Sequence, residues 1–266
     1  MNEKDFKNGF KTPKTRMPVK TEKPSLKIVA LLTGRGGSSL KDKNILKVSG
    51  KPLLYYPAKA AIDSRFIDDY YVSSDSQKIL DAAKKIGYIP IKRPQKISKA
   101  NSQHGDVIKH GLDFLKKKGI IPDILVVLLA NTVVVKTKWI DDCIEALITD
   151  KSLTTVAPVY PDSDHHPFRS KKIGKNGLCE PFFNFSGKKI STNRQDLDPS
   201  FFFCHNFWVL RGDNLDKVAG GQPPWAFMGN KIKPYIIKGG YIDVHDMKDL
   251  EESRRWLKKY GHLQEI

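Results

Sequence analysis

The chain has 266 residues, 39% of them hydrophobic, enough to bury one core of ordinary or slightly large size. Its formal charge of +17 favours an anionic ligand, although only nine of the 46 basic residues are arginine, and a lysine excess of that kind weakens the inference. No run nears the roughly 18 apolar residues that would cross a bilayer, no apolar stretch at the N-terminus resembles a secretory signal, and Cys143, Cys179 and Cys204 are too widely spaced for a disulfide framework or a zinc site. Reduced thiols and a cytoplasmic setting are the expectation.

Residues 1–25 are polar, lysine-rich and broken by Pro13, Pro18 and Pro24, and read as a disordered basic arm. From residue 26 to 266 the pattern is that of one domain. Leu26–Thr33 reads as a strand. It runs into the loop LTGRGGSSLKDKN (Leu32–Asn44), where Gly34, Gly36 and Gly37 would let backbone N–H groups approach a polyanion, with Arg35, Lys41 and Lys43 to neutralise it. The loop matches neither the Walker A pattern nor the dinucleotide glycine fingerprint. A basic surface loop is the plain alternative.

Pro52–Asp63 reads as a helix with Pro52 in its first turn. Ile67–Ser74 is a strand that leads, through Ser73, Ser74, Asp75 and Ser76 with their N-capping chemistry, into a helix over Gln77–Ile86 stopped by Gly87. Tyr88–Lys92 is a short strand. His104–Lys118 is an amphipathic helix carrying Val107, Ile108, Leu112 and Leu115 on one side. Ile124–Leu129 is an unbroken apolar run, as a parallel strand covered on both faces requires. Trp139–Ile148 is a helix and Leu153–Val159 a strand. Residues 160–200 are rich in Pro, Gly, Asp and Asn, with short β-like pieces such as Phe182–Phe185. Phe201–Leu210, Lys233–Lys238 and Tyr241–Val244 read as strands and Asp246–Tyr260 as a closing helix. This alternation predicts an α/β fold, a mostly parallel, Rossmann-like sheet flanked by helices. Residues 160–235 form a small β-rich insertion. Phe201, Phe202, Phe203, Phe207 and Trp208 suit a core or a subunit interface.

In order along the chain stand Arg35-Gly36-Gly37-Ser38 with Lys43-Asn44-Ile45, Ser49-Gly50-Lys51-Pro52-Leu53, Val72-Ser73-Ser74-Asp75, Lys92-Arg93-Pro94, Leu128-Leu129-Ala130-Asn131-Thr132, His165-His166-Pro167, Arg194-Gln195-Asp196-Leu197 and Tyr241-Ile242-Asp243. From about residue 26 onward this order resembles the cytidylyltransferases of the CMP-sialic acid synthetase type, which activate acylneuraminate, legionaminate and pseudaminate. The resemblance implies a nucleotide-diphosphosugar-transferase-like fold. It also implies a reaction in which CTP and an acidic nine-carbon (nonulosonic) sugar give a CMP-sugar and pyrophosphate, with Mg²⁺ or Mn²⁺ at the phosphates and a homodimer as the working unit. It places Arg35, Lys43 and Asp243 in catalysis and Gly34, Arg35, Gly36, Gly37, Ser38, Lys43, Asn44 and Arg93 around the nucleotide. Arg194, Gln195, His165, His166 and His205 fall on the acceptor side, and Asp243 and Asp246 at the metal.

The departures concentrate on the acceptor side. The loop is one residue shorter than the family's and lacks a lysine after the first serine, for which Lys41 could compensate. A family glutamine that contacts the sugar is Ala130, and the arginine six positions on has become Lys136, a point charge in place of a bidentate fork. The Asp-x-Asp metal pair reads Asp243-Val244-His245, with Asp246 one position late, and imidazole is a poorer ligand for hard Mg²⁺ than carboxylate. The Asn-Gly-Ala segment is His205-Asn206-Phe207. These changes leave two other readings open: a CTP-dependent enzyme with a different acidic acceptor, such as another ulosonic acid or a phosphonate, and a catalytically inactive family member that binds. Two further points are plainer. Asp75 suits an N-cap better than chemistry, and Arg194 suits an ordinary loop ion pair nearly as well as a clamp on the acceptor carboxylate. His165 and His166 point apart in an extended chain and do not make a zinc site. Without an aromatic-interleaved basic platform or a reader motif, only the arm argues for nucleic acid.

Overall fold

A computed structural model describes residues 25–37, 40–216, 220–238 and 241–261. The predicted arm and Ser38 therefore lie outside the described residues, apart from Ser25. The first strand, β1 (Ile28–Thr33), is buried along its whole length. Next comes a two-strand hairpin of β2 (Lys47–Val48) and β3 (Lys51–Pro52). Its turn residues Ser49 and Gly50 both have positive φ, 47° and 83°, as the right-handed twist of a tight hairpin demands. Pro52 thus pairs with Lys47 instead of opening a helix, and α1 begins three residues later (Tyr55–Ile62).

The chain continues through β4 (Asp69–Ser74), α2 (Gln77–Lys84), β5 (Ile89–Lys92), α3 (His104–Lys117), β6 (Ile124–Leu129), α4 (Thr137–Thr149) and β7 (Thr155–Pro161). Gly87 takes φ +107° just beyond α2, as expected of a stop. The short pieces of the 160–200 region are β8 (Lys171–Ile173) and β9 (Cys179–Pro181), an isolated hairpin; Phe182–Phe185 is not a strand. The aromatic run splits into β10 (Phe201–Phe203) and β11 (Phe207–Arg211). β12 (Ile232–Ile236) and α5 (Met247–Tyr260) complete the fold, while Tyr241–Val244 joins no ladder.

The main sheet runs β10-β7-β11-β6-β1-β4-β5, with β12 also on β7. Strands β6, β1, β4 and β5 are parallel, and β12 is parallel to β7; β11 is antiparallel to both β6 and β7, and β10 to β7. Alternate residues feed two cores. Ile28, Ala30, Leu32, Val126, Leu128 and Phe207 face α1, α2 and α4, whereas Val29, Leu31, Leu125, Val127 and Trp208 face α3 through Ile108, Leu112 and Leu115. A third cluster seats α5, through Leu250, Trp256 and Leu257, on Val133, Val134 and Val244. The result is a sheet covered on both faces, whose parallel strands all end at one edge, where open α/β folds bind ligands.

Candidate active site

At that edge the loop after β1 is held by its neighbours rather than by its own sequence. The Gly36 N–H donates to Asp75 Oδ1 at 3.0 Å, and a Cβ on Gly36 would sit 2.9 Å from Ser76 Cβ, so only glycine fits there. Gly34 presses against Ala130 and Asn44, where a Cβ would come within 3.0 and 3.1 Å. Among the described residues Gly37 meets no such neighbour. Asn44 is buried and donates from Nδ2 to the Arg35 carbonyl at 3.1 Å; among the described residues its Oδ1 finds no partner.

Arg93, at the end of β5, is only 5% exposed. Its guanidinium donates to the Gly34 carbonyl at 2.9 Å and to Ser98 Oγ at 3.1 Å, and lies 3.6 Å from Asp75. Burial pulls its pKa below the usual arginine value, and Asp75 opposes that. Asp75 is therefore not the N-cap expected of it. Ser76 takes the N-cap position, without a side-chain bond, and the Asp75 carboxylate clamps the glycine loop and Arg93 together.

Lys43 reaches across to the 241–246 segment, donating from Nζ to the Val244 carbonyl at 2.6 Å. Burial lowers its pKa and Asp243 partly restores it. Asp243 accepts from the Asn131 side-chain amide and lies 3.2 Å from His245 Nε2. Burial raises its pKa against the pull of His245, Lys43 and His205. Val244 N–H bonds the Asn131 carbonyl at 2.9 Å, which pins this unladdered segment across the end of β6.

Gly34, Arg35, Lys43, Asn44, Arg93, His205 and Asp243 line one cleft of about 280 Å³. Asn131 and His104, to which the sequence assigns no binding role, line it too, as does His245, which stands at the second position of the metal pair. Asn131 carries a legible signal, since it follows directly on the C-terminal end of a buried parallel strand. The remaining assignments go elsewhere. Asp246 caps α5: its carboxylate accepts from the N–H groups of Lys248 and Asp249, and Asp249 answers in a capping box, so this side chain is occupied outside the cleft lining. Arg194 makes the loop ion pair, with Asp164 at 2.6 Å, and Gln195 beside it is exposed. His165 bonds Asp162 at 2.8 Å, and His166 is buried, accepting from Phe168 N–H at 3.1 Å. None of these four lines the cleft, and neither does the exposed Lys41.

Arg35, Lys43 and Arg93 share this cleft with the half-buried carboxylate of Asp243 at the carboxyl ends of parallel strands, and together they define a site for a phosphorylated ligand in an α/β fold. The family described as Cytidylyltransferase matches residues 29–171, more than half of the chain, and the protein belongs to it. The chain is 29% identical to the N-acylneuraminate cytidylyltransferase A of Danio rerio over 98% of its own length, and spans 56% of that relative. It is 26% identical to the pseudaminic acid cytidylyltransferase of Campylobacter jejuni over 85% of its length, covering 94% of that protein. Among solved structures, a CMP:2-keto-3-deoxy-manno-octonic acid synthetase complexed with CTP superposes over 88% of this chain and 99% of its own, with a TM-score of 0.63 at 15% identity. A 4-diphosphocytidyl-2C-methyl-D-erythritol synthase gives 0.60 at 14% identity over 88% and 99%. At such identities these two show the shared fold, a nucleotidyltransferase-like α/β sheet.

Proposed function

We propose that this cytidylyltransferase uses CTP to activate an acidic nonulosonic sugar of the neuraminic or pseudaminic class, releasing pyrophosphate. The observation that carries the reading is the convergence of Arg35, Lys43, Arg93 and Asp243 on one cleft, in a chain whose relatives in Danio rerio and Campylobacter jejuni carry those activities in their names. In the reaction an acceptor hydroxyl attacks the α-phosphorus of CTP; the new P–O bond forms as the bond to the β-phosphate oxygen breaks, and the hydroxyl proton is lost to solvent or base. Transfers of this kind are catalysed chiefly by positioning and by neutralising the phosphates. Arg35 and Lys43 supply charge toward the triphosphate. Arg93, with three of its contacts made within the protein, shapes the loop from below. Asn44, whose side-chain amide holds the Arg35 carbonyl, lines the cleft and is the residue for its nucleoside side.

A Mg²⁺ or Mn²⁺ ion suits this donor set in one form only. Among the described residues no three His, Cys, Asp or Glu side chains converge as a cage, whereas Mg²⁺ is ordinarily held by one or two carboxylates together with substrate phosphates. Asp243, beside Asn131, is the residue to hold it, and the ion would neutralise phosphate charge.

The 160–235 excursion exposes Phe168, Phe182, Phe183 and Phe201, a concentration of apolar surface that supports a homodimer formed through this region. The three cysteines are free thiols, in keeping with a reducing, cytoplasmic setting. No helix among the described residues is long and apolar enough to cross a membrane.

The test is product analysis by mass spectrometry after incubation with Mg²⁺, each of the four ribonucleoside triphosphates, and N-acetylneuraminic, legionaminic or pseudaminic acid. A CMP-linked sugar from CTP alone is the expected result. No nucleotide-linked product from any pairing would refute the proposal, and a product only from a different acidic acceptor would refute its sugar class.

A further inference from the structure

Asn131 stands two residues beyond β6, on a stretch that is tied down on either side of it. One residue earlier, Ala130 N–H donates to the Thr33 carbonyl at 3.0 Å, so the chain is still fastened to β1. After it, Thr132, Val133, Val134 and Val135 are all fully buried. Val134 N–H donates to Thr132 Oγ1 at 3.0 Å, and Asn206 Nδ2 donates to the Val134 carbonyl at 3.0 Å. Asn131 is the half-buried residue of this fixed stretch, and it lines the cleft.

Asp243 rests on less. The 241–244 segment joins no ladder, and Ile242 and Val244 anchor it by burial in the cluster that holds Val133 and Val134. Asp243, between those two, lines the cleft. The backbone is held on one side by Val244 N–H, which donates to the Asn131 carbonyl at 2.9 Å, and on the other by Lys43 Nζ, 2.6 Å from the Val244 carbonyl. The carboxylate itself accepts at Oδ1 from the Asn131 side-chain amide, while Oδ2 lies 3.2 Å from His245 Nε2. A single residue therefore grips both the segment and the carboxylate it carries. A donor fixed on a rigid stretch removes rotamer freedom that an aspartate on an unladdered segment otherwise keeps.

We propose that Asn131 is the positioning residue for Asp243: its amide holds Oδ1 and leaves Oδ2 as the oxygen offered to a divalent ion at the CTP phosphates. The role rests on the nucleotidyl-transfer reading above. Asparagine suits the place because its amide donates without adding a charge. Aspartate there would repel the carboxylate, and alanine would leave it unheld. The sequence sets the changes of the 130–136 stretch on the acceptor side; the contacts of Asn131 put this one on Asp243 instead.

The carbonyl of residue 131 survives substitution, so Asn131→Ala removes the grip on the carboxylate and keeps the tie to Val244. Mn²⁺ is the probe: its affinity for the protein–CTP complex is read by electron paramagnetic resonance, with metal-free CTP binding by calorimetry beside it. Asn131→Ala should weaken Mn²⁺ binding about ten- to a hundredfold, the usual effect of removing a group that orients a metal ligand, and leave metal-free CTP binding unchanged. Added to Asp243→Ala, the same substitution should change Mn²⁺ affinity no further, because nothing is left to position, whereas a merely structural role would add its own loss. In the wild-type protein the ¹⁵N–¹H signals of the Asn131 side-chain amide should shift when Mg²⁺ joins the CTP complex, a readout that needs no variant. Wild-type Mn²⁺ affinity in Asn131→Ala, a further loss in the Asp243→Ala background, a fall in metal-free CTP binding, or amide signals indifferent to Mg²⁺ would each overturn the role. Mn²⁺ binding that depends on Asn131, in a protein that makes no nucleotide-linked sugar, would uphold it and refute the nucleotidyl-transfer reading instead.

Discussion

Asp75 is the residue on which the phosphate side of the cleft depends most. Its carboxylate is the counter-charge to a guanidinium that is almost wholly buried, and it also holds the Gly36 N–H. Removing one partner of a buried pair leaves the other uncompensated. Asp75→Ala should therefore destabilise the fold by about 3 kcal/mol in denaturant titration and weaken CTP binding through the loosened loop. Unfolding at the wild-type denaturant concentration would show that Arg93 does not need its partner. This role was hidden in the sequence because a carboxylate between a strand and a helix has ordinary N-capping chemistry; the pairing with Arg93 exists only once β4 and β5 lie side by side. Arg35, Lys43 and Asp243 were legible as motif positions, whereas His104 stood at a predicted helix start with nothing local to mark it as a cleft residue.

At the scale of elements, α5 shows how a capping residue can pass for a metal ligand. Asp246 and Asp249 form a reciprocal capping box, the arrangement that satisfies the free N–H groups at a helix start. Asp246→Ala should cost about 1 kcal/mol of stability and leave the Mg²⁺ dependence of turnover as it is. A lost or altered metal requirement, measured by metal titration, would return Asp246 to the site. The strands and helices that alternate through residue 161 were largely legible, since hydrophobic period and turn residues agree there. Beyond it the strand near residue 233 and the closing helix were legible too, and the agreement fails at two places. The aromatic run at 201–210 is broken where Asn206 leaves the ladder to bond Val134, and Tyr241–Val244 finds its partners in Asn131 and Lys43 instead of a strand. Pro52, equally good in a first helical turn or at a short edge strand, was settled by the Ser49-Gly50 turn.

Across the whole molecule, the three thiols report on packing. Cys143 and Cys204 are buried, and burial raises both thiol pKa values, that of Cys204 to about 12. Cys179 is exposed on its hairpin. Since the thiolate is the reactive form, alkylation of the native protein at pH 8 should modify Cys179 alone, and all three after unfolding. Rapid native modification of Cys204 would contradict the packing beneath His205. The same packing fixes the cleft at the end of the parallel strands, where cations, carboxylate and imidazoles meet although they come from segments some 200 residues apart (Lys43 and Val244). The most direct measurement is pyrophosphate release from CTP with a neuraminic or pseudaminic acid, for wild type and for Lys43→Ala side by side. The account predicts turnover by the wild type and a loss of about a hundredfold or more in the variant, as expected when one charge facing the reacting phosphates is removed. Equal rates in the two proteins would contradict it, because the reaction would then not depend on the cleft described here.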